Sequence, residues 1–217
     1  MEEKRRLLVL IACEESQSEC CAFRECGCVA FSCDLQKCSG GHPEWHIVGD
    51  VLRIADGDCD FITQSGSHHH IFGPWDLVIA HPPCTYLSRV GAPHMFPKKG
   101  KINPDRYEKM IEARDFFFAC YNIKSNFLAV ENPCPLSIAK LPPHDDVINP
   151  NEFGEPWTKR TYLWLRGLPP LMFGVFNPNA RSWVGAVRSA KKRSKSFDAI
   201  SRAMAVQWTE YILSCGE

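Results

Sequence analysis

The 217-residue chain carries no surplus charge of either sign: 25 lysines and arginines stand against 25 aspartates and glutamates. No global field argues for a polyanionic partner, so any such argument must come from local charge. Long hydrophobic runs are missing too. "LLVLIA" and "DFFFA" break far short of the roughly 20 apolar residues of a membrane-spanning helix. The start, "MEEKRRLLVLIACEES", has a six-residue apolar stretch that runs straight into acids. That pattern does not suit a secretory signal, and a cytoplasmic location is expected. There is no internal repeat and no pair of Cys-x-x-Cys knuckles, although the chain holds 12 cysteines and six of them fall between Cys20 and Cys38. Without an export signal a disulfide scaffold is disfavoured, and without the knuckles zinc is disfavoured even with His42 and His46 nearby. Reduced thiols, some buried as small hydrophobes, are the expected state.

What is present is an alternation of strand-like and helical segments, the pattern of an α/β sheet with parallel strands. "RLLVLIA" reads as a first strand, followed by an amphipathic stretch from Ser16 to Glu25. "CVAFSC" is a second strand, "HIVGDV" a short third ending near Asp50, and "DLVIA" a fourth. Asn103 caps a helix with Pro104 at its first position, and that helix leads to "FLAV" and "ENPCP". A later strand, "TYLWL", and a C-terminal helix, "FDAISRAMAVQWTEYIL", complete the series. The proline-rich stretches 133–156 and 169–178 read as ordered surface crossings, and the "HHH" of His68 to His70 reads as a solvated loop. At this length one core is expected, hence a single domain over residues 1–217.

Polar residues follow the strands: Glu14 and Glu15, then Asp34, Asp50, Cys84 and Glu131. In an open parallel sheet these positions share the carboxyl edge, where ligands bind. A carboxylate after the second strand can accept two hydrogen bonds from a ribose diol, although a strand-end aspartate is more often a turn residue or a cap. Pro82 and Pro83 forbid both helix and ladder continuation, so Cys84 is presented on a rigid corner. A thiol there, with a glutamate at a neighbouring strand end and cations at Lys159 and Arg160, points to covalent catalysis; the bland alternative is a buried structural thiol. Basic "RSAKKRSK" reads either as a solvated loop or as phosphate contacts.

Taken together, "HPPCTYLS", "ENP" and "FGEPWTKRTYLWL", closed by "RSKSFDAISRAMAVQW", resemble the cytosine-5 methyltransferases, in particular the small phage and bacterial type. The resemblance implies a Rossmann-like α/β fold, a mostly parallel sheet with helices on both faces, and S-adenosylmethionine as cofactor. It implies that Cys84 adds to C6 of the pyrimidine, that Glu131 engages N3, and that Arg160 or Lys159 steadies O2. It also implies a cofactor site at Ala12, Cys13, Glu14 and Gln17 for the methionine end, Asp34 and Leu35 for the ribose, and Asp50 and Val51 for the adenine, with Pro82 alongside.

Two departures stand out. The first loop reads "ACEESQ", with none of the family's glycines, and only about thirty residues separate "TYLWL" from "RSKSF", too few for a recognition domain with its own core. Contacts to DNA would then come from Lys98, Lys99 and Lys101 in the loop after Cys84, and from Lys191, Lys192 and Arg193. The expected partner is duplex or single-stranded DNA, with a free pyrimidine nucleotide or a non-catalytic binding role as alternatives, and the expected state is a monomer without membrane attachment.

Overall fold

The computed structural model describes residues 5–187, 189 and 195–216. Lys191, Lys192 and Arg193 lie outside the described residues. Sixteen elements are used below: strands β1 (Leu8–Ala12), β2 (Val29–Asp34), β3 (His46–Val48), β4 (Cys59–Ile62), β5 (His68–Ile71), β6 (Leu77–Ala80), β7 (Phe127–Pro133), β8 (Asp146–Ile148), β9 (Trp157–Thr158), β10 (Thr161–Arg166) and β11 (Arg181–Ser182), and helices α1 (Ser18–Glu25), α2 (Ala92–Met95), α3 (Pro104–Tyr121), α4 (Trp183–Ala186) and α5 (Asp198–Ser214).

Seven strands form the main sheet in the order β3-β2-β1-β6-β7-β10-β8. Every neighbouring pair from β3 to β7 is parallel, and β10 runs antiparallel to both β7 and β8. This is the mostly parallel α/β architecture expected from the alternation, in the Rossmann-like form that the resemblance implied. Central strands β1 and β6 are buried almost throughout, as the unbroken runs "LVLIA" and "LVIA" require when both faces are covered. Side chains alternate between two apolar layers. Leu10, Phe31, Val78 and Val130 meet α3 through Met110 and Phe117, whereas Val9, Ile11, Ile79 and Ala129 meet α1 and α5 through Phe23, Met204 and Trp208.

Local chemistry sets the element ends. Asn103 accepts a hydrogen bond from the Arg106 N–H and so starts α3 as expected, with Pro104 at the first position. Helix α1 begins at Ser18 rather than Ser16, because Gln17 adopts a left-handed backbone with φ of 63°. Its cap is supplied by Glu14, whose carboxylate accepts the N–H groups of Glu19 (2.7 Å) and Cys20 (3.3 Å). Three tryptophans, Trp75, Trp164 and Trp208, are fully buried. The indole N–H groups of Trp164 and Trp208 donate to the carbonyls of Pro142 and Pro169, which fastens both proline-rich crossings to the core.

Two expectations are corrected. His68 to His70 form strand β5, paired antiparallel with β4, and are not a loop. The reason is packing: the His69 ring stacks on Phe61 and meets Phe31 edge-on, so half of the hairpin is committed to the apolar layer. Second, the crossing 133–156 contains β8, which completes the sheet beyond β10. No helix among the described residues is long and apolar enough to cross a membrane.

Candidate active site

The sheet reverses its strand order between β1 and β6. From β1 the chain moves outward through β2 and β3, and from β6 it moves the other way. The loops leaving these two strands therefore diverge, opening a crevice at the carboxyl edge. Residues Cys13 to Ser16 after β1 and His81 to Thr85 after β6 line it, together with Asp34, Gln36, Glu131, Lys159, Lys195 and Ser196. This lobe measures about 280 Å³. A second lobe of about 490 Å³ shares Cys84, Thr85, Pro133 and Lys159 with it and is otherwise lined by Arg89, His94, Arg106, Arg160, Trp183 and their neighbours. Cys84 stands where the two lobes meet.

The corner holding Cys84 is fixed on both sides. The His81 N–H donates to Ala12 and so continues the ladder one residue past β6, while the Asn132 side chain donates to the Pro82 carbonyl at 3.1 Å. After it, the Leu87 and Ser88 N–H groups both donate to the Cys84 carbonyl. The thiol is partly exposed. All twelve cysteines are free thiols. Among the buried ones, burial pushes the Cys20 thiol well up, and burial with nearby Cys13 and acids pushes Cys33 up to about 12. Such groups stay protonated and serve as packing. No cluster of three or more His, Cys, Asp or Glu among the described residues is placed to hold a metal ion.

Behind Cys84 lies a file of buried ionisable groups. His81 Nδ1 is 3.2 Å from Glu131 Oε2, and His81 Nε2 is 3.5 Å from Glu19 Oε1. Burial acts to lower the His81 value, but the charge of Glu19 and the hydrogen bond and charge of Glu131 outweigh it and raise the imidazole to about 9. Burial acts to raise Glu131, yet the His81 hydrogen bond and the charges of Lys159 and His81 hold it below the usual carboxylate range. Burial, reinforced by the adjacent Glu19, pushes Glu14 well up. The site thus presents an ionised Glu131 beside an imidazolium.

Several predicted residues converge here: Cys84, Glu131, Lys159, Cys13, Glu14, Asp34 and Pro82 all line the first lobe, and Arg160 lines the second. Lys159, not Arg160, acts on Glu131; the Arg160 guanidinium lies over the Tyr162 ring at 5.4 Å. Other residues are not brought in. Gln17 is fully buried, its amide bonded to Ser32 and to the backbone of His42. Asp50 caps a short turn through the Leu52 N–H, the bland role of a strand-end acid, and Val51 is core. Leu35 is exposed and Ala12 is buried, with its carbonyl taken by His81. Lys98, Lys99 and Lys101 are exposed on a tight turn between α2 and α3, outside both lobes.

Sequence reasoning missed His81, Glu19, Arg89 and Arg106, while Lys195, the end of the basic run read as a loop or as phosphate contacts, lines the first lobe. His81 was adjacent to the proline corner, and its parity with Ile79 placed it on the α1 face. Arg89 and Arg106 carried no local signal, because only the folding of α3 onto the corner brings the Arg106 guanidinium to the Thr85 carbonyl at 2.8 Å.

No family model matches the chain, and no curated protein matches it. Among solved structures it is similar to a presumed DNA modification methyltransferase encoded within an E. coli prophage, at 13% identity and a TM-score of 0.41, over 74% of this chain and 46% of that one. The chain thus matches less than half the length of that protein. The chemistry of the cleft rests on its own residues.

Proposed function

We propose that the protein transfers a methyl group from S-adenosylmethionine to C5 of cytosine in DNA through a covalent adduct with Cys84. One observation carries the reading: a partly exposed thiol on a pinned proline corner joins a lobe lined by both acids and cations to a lobe lined by cations alone, with a carboxylate and an ammonium beside it. The first lobe suits the cofactor by its donor set. Asp34 stands at the end of β2 with one oxygen spent on the Gln36 N–H, leaving the other for a ribose hydroxyl. Lys195 offers a cation to the methionine carboxylate, and the acids Glu15 and Asp34 suit a sulfonium. When bound, S-adenosylmethionine supplies an activated methyl group.

The chain's residues do the rest. Cys84 adds to C6, and C5 becomes nucleophilic. An ionised Glu131 accepts from the exocyclic amine of cytosine and meets the O4 of thymine or uracil with repulsion, which selects the base. Lys159 balances the charge that appears on the ring in a site shielded from bulk water. Arg89, Arg106 and Arg160 line the substrate lobe and suit phosphates flanking an extruded nucleotide, since C6 is out of reach inside a duplex.

A second reading, methylation of a free pyrimidine nucleotide, is favoured by one feature: residues 167–197, between β10 and α5, leave no room for a separate recognition domain. Labelled methyl transfer to duplex DNA, single-stranded DNA and deoxycytidine monophosphate, with Cys84→Ser as control, decides between the two. Label in DNA supports the first, label only in the mononucleotide supports the second, and label in none of them refutes both.

A further inference from the structure

An ionised Glu131 cannot by itself donate to N3, yet thiol addition to C6 places an electron pair there. A proton must reach N3 from elsewhere, and the cleft offers a source. We propose that His81 is the positioning residue of this site: it bridges Glu19 and Glu131, aims the Glu131 carboxylate at the base, and passes a proton through Glu131 to N3. The inference rests on the cytosine reading above.

Geometry supplies the argument. Ala80 pairs with Val130 in the parallel β6–β7 ladder, so His81 and Glu131 are the next neighbours in register and point to the face covered by α1. Glu19 sits in the first turn of α1, 1% exposed, and points at the other imidazole nitrogen. It is free to do so because Glu14 has already capped that helix through the Glu19 and Cys20 N–H groups. A carboxylate so deeply buried is costly without a cation, and His81 is the group within reach. The groups facing His81 are Glu19 from α1, Glu131 from β7 and Cys13 from the loop after β1, while Lys159 acts on Glu131 from the far side. Glu19 lines neither lobe and reaches the first through His81, Glu14 and Ser196, so the titration of His81 is the readout that isolates the His81 route.

The step balances. The Cys84 thiolate pair forms the S–C6 bond, the C5–C6 π pair moves between C5 and C4, and the C4–N3 π pair moves to N3. N3 takes a proton from Glu131, which receives one from His81 Nδ1, so a thiolate and an imidazolium become a neutral adduct and a neutral imidazole. After methylation a water molecule takes the C5 proton, the C5–H pair becomes the C5–C6 π bond, the thiolate leaves C6, and the N3 proton returns by the same path.

The test uses the full chain and the Glu19→Gln, Glu131→Gln and His81→Asn variants. The imidazole of His81, identified by its missing signal in His81→Asn, is titrated by NMR, and adduct formation with DNA carrying 5-fluorocytosine is followed against pH. The expected wild-type midpoint is well above the ordinary histidine range, falling by about one unit or more in Glu19→Gln. The alkaline limb of adduct formation should fall with it, about fivefold slower at the wild-type midpoint for a one-unit shift. A midpoint in the ordinary range that neither glutamine variant moves overturns the proposal, as does an alkaline limb unchanged in Glu19→Gln. Those results in a protein that still methylates cytosine leave the proposed function standing. A wild-type protein that modifies no cytosine substrate removes both.

Discussion

The two lobes of the cleft differ in how charge is arranged. One sets the acids Glu14, Glu15, Asp34 and Glu131 against His81, Lys159 and Lys195, and the other has Arg89, Arg106 and Arg160 with no acid among its lining residues. A net charge of zero over the chain thus coexists with a wall of one sign in the second lobe. Clefts with low-dielectric walls focus such fields, so a polyanion suits the second lobe, whereas a ligand carrying both a sulfonium and a carboxylate would find partners of both signs in the first. Cys84 and Lys159, common to both lobes, mark where the two ligands would meet.

The largest break in this comparison is at the junction. Cys84→Ser is expected to reduce methyl transfer to background while cofactor affinity, measured by calorimetry, stays within about twofold. Next, Glu131→Gln is expected to slow single-turnover transfer by roughly 10²–10⁴-fold, the usual range for a general acid–base group, with little change in cofactor binding. Asp34→Asn probes the first lobe alone: cofactor affinity should fall roughly tenfold, with DNA affinity unchanged. Arg89→Ala probes the basic lobe alone, and the slope of DNA affinity against salt should drop by about one phosphate contact. If Asp34→Asn and Arg89→Ala each disturb both ligands equally, the division of the cleft fails.

The smallest expected effect is on stability. His81 is raised to about 9 from an ordinary 6.5, so its contribution is complete below about 6.5 and is lost as pH rises through about 9. Glu131, held low, contributes above the ordinary carboxylate value and loses that contribution as pH falls below it. Thermal melting from pH 5 to 10 should therefore show a plateau up to about 6.5 and a decline from there through about 9 that is absent in His81→Asn. An alkaline decline of equal size in that variant assigns it to other groups.

Much of this was legible along the chain. The runs "LVLIA" and "LVIA" have no polar face, so they could only be central strands, and Asn103-Pro104 could only start a helix where it does. The proline corner and the strand-end acids followed from the same local logic. Asp50 shows its limit: a strand-end aspartate caps a turn or meets a ligand, and the sequence around it reads the same in both cases. The His68 to His70 strand escaped for a related reason, since its order comes from rings at Phe31 and Phe61 that are contiguous only after folding.

The pairing of His81 with Glu131 and Glu19 belongs to the tertiary structure, because it depends on strand register, on the face chosen by alternate residues, and on the orientation of α1 over the sheet. So does the basic lobe, which gathers Arg89, Arg106 and Arg160 from three separate segments. Residue order by itself determined most of the elements, the rigid corner that carries Cys84 and the edge of the sheet where a cleft would lie, because these depend on neighbours in the chain. Which charges face one another across the cleft was decided only when distant segments packed, because burial and proximity, not identity, set what an ionisable group does.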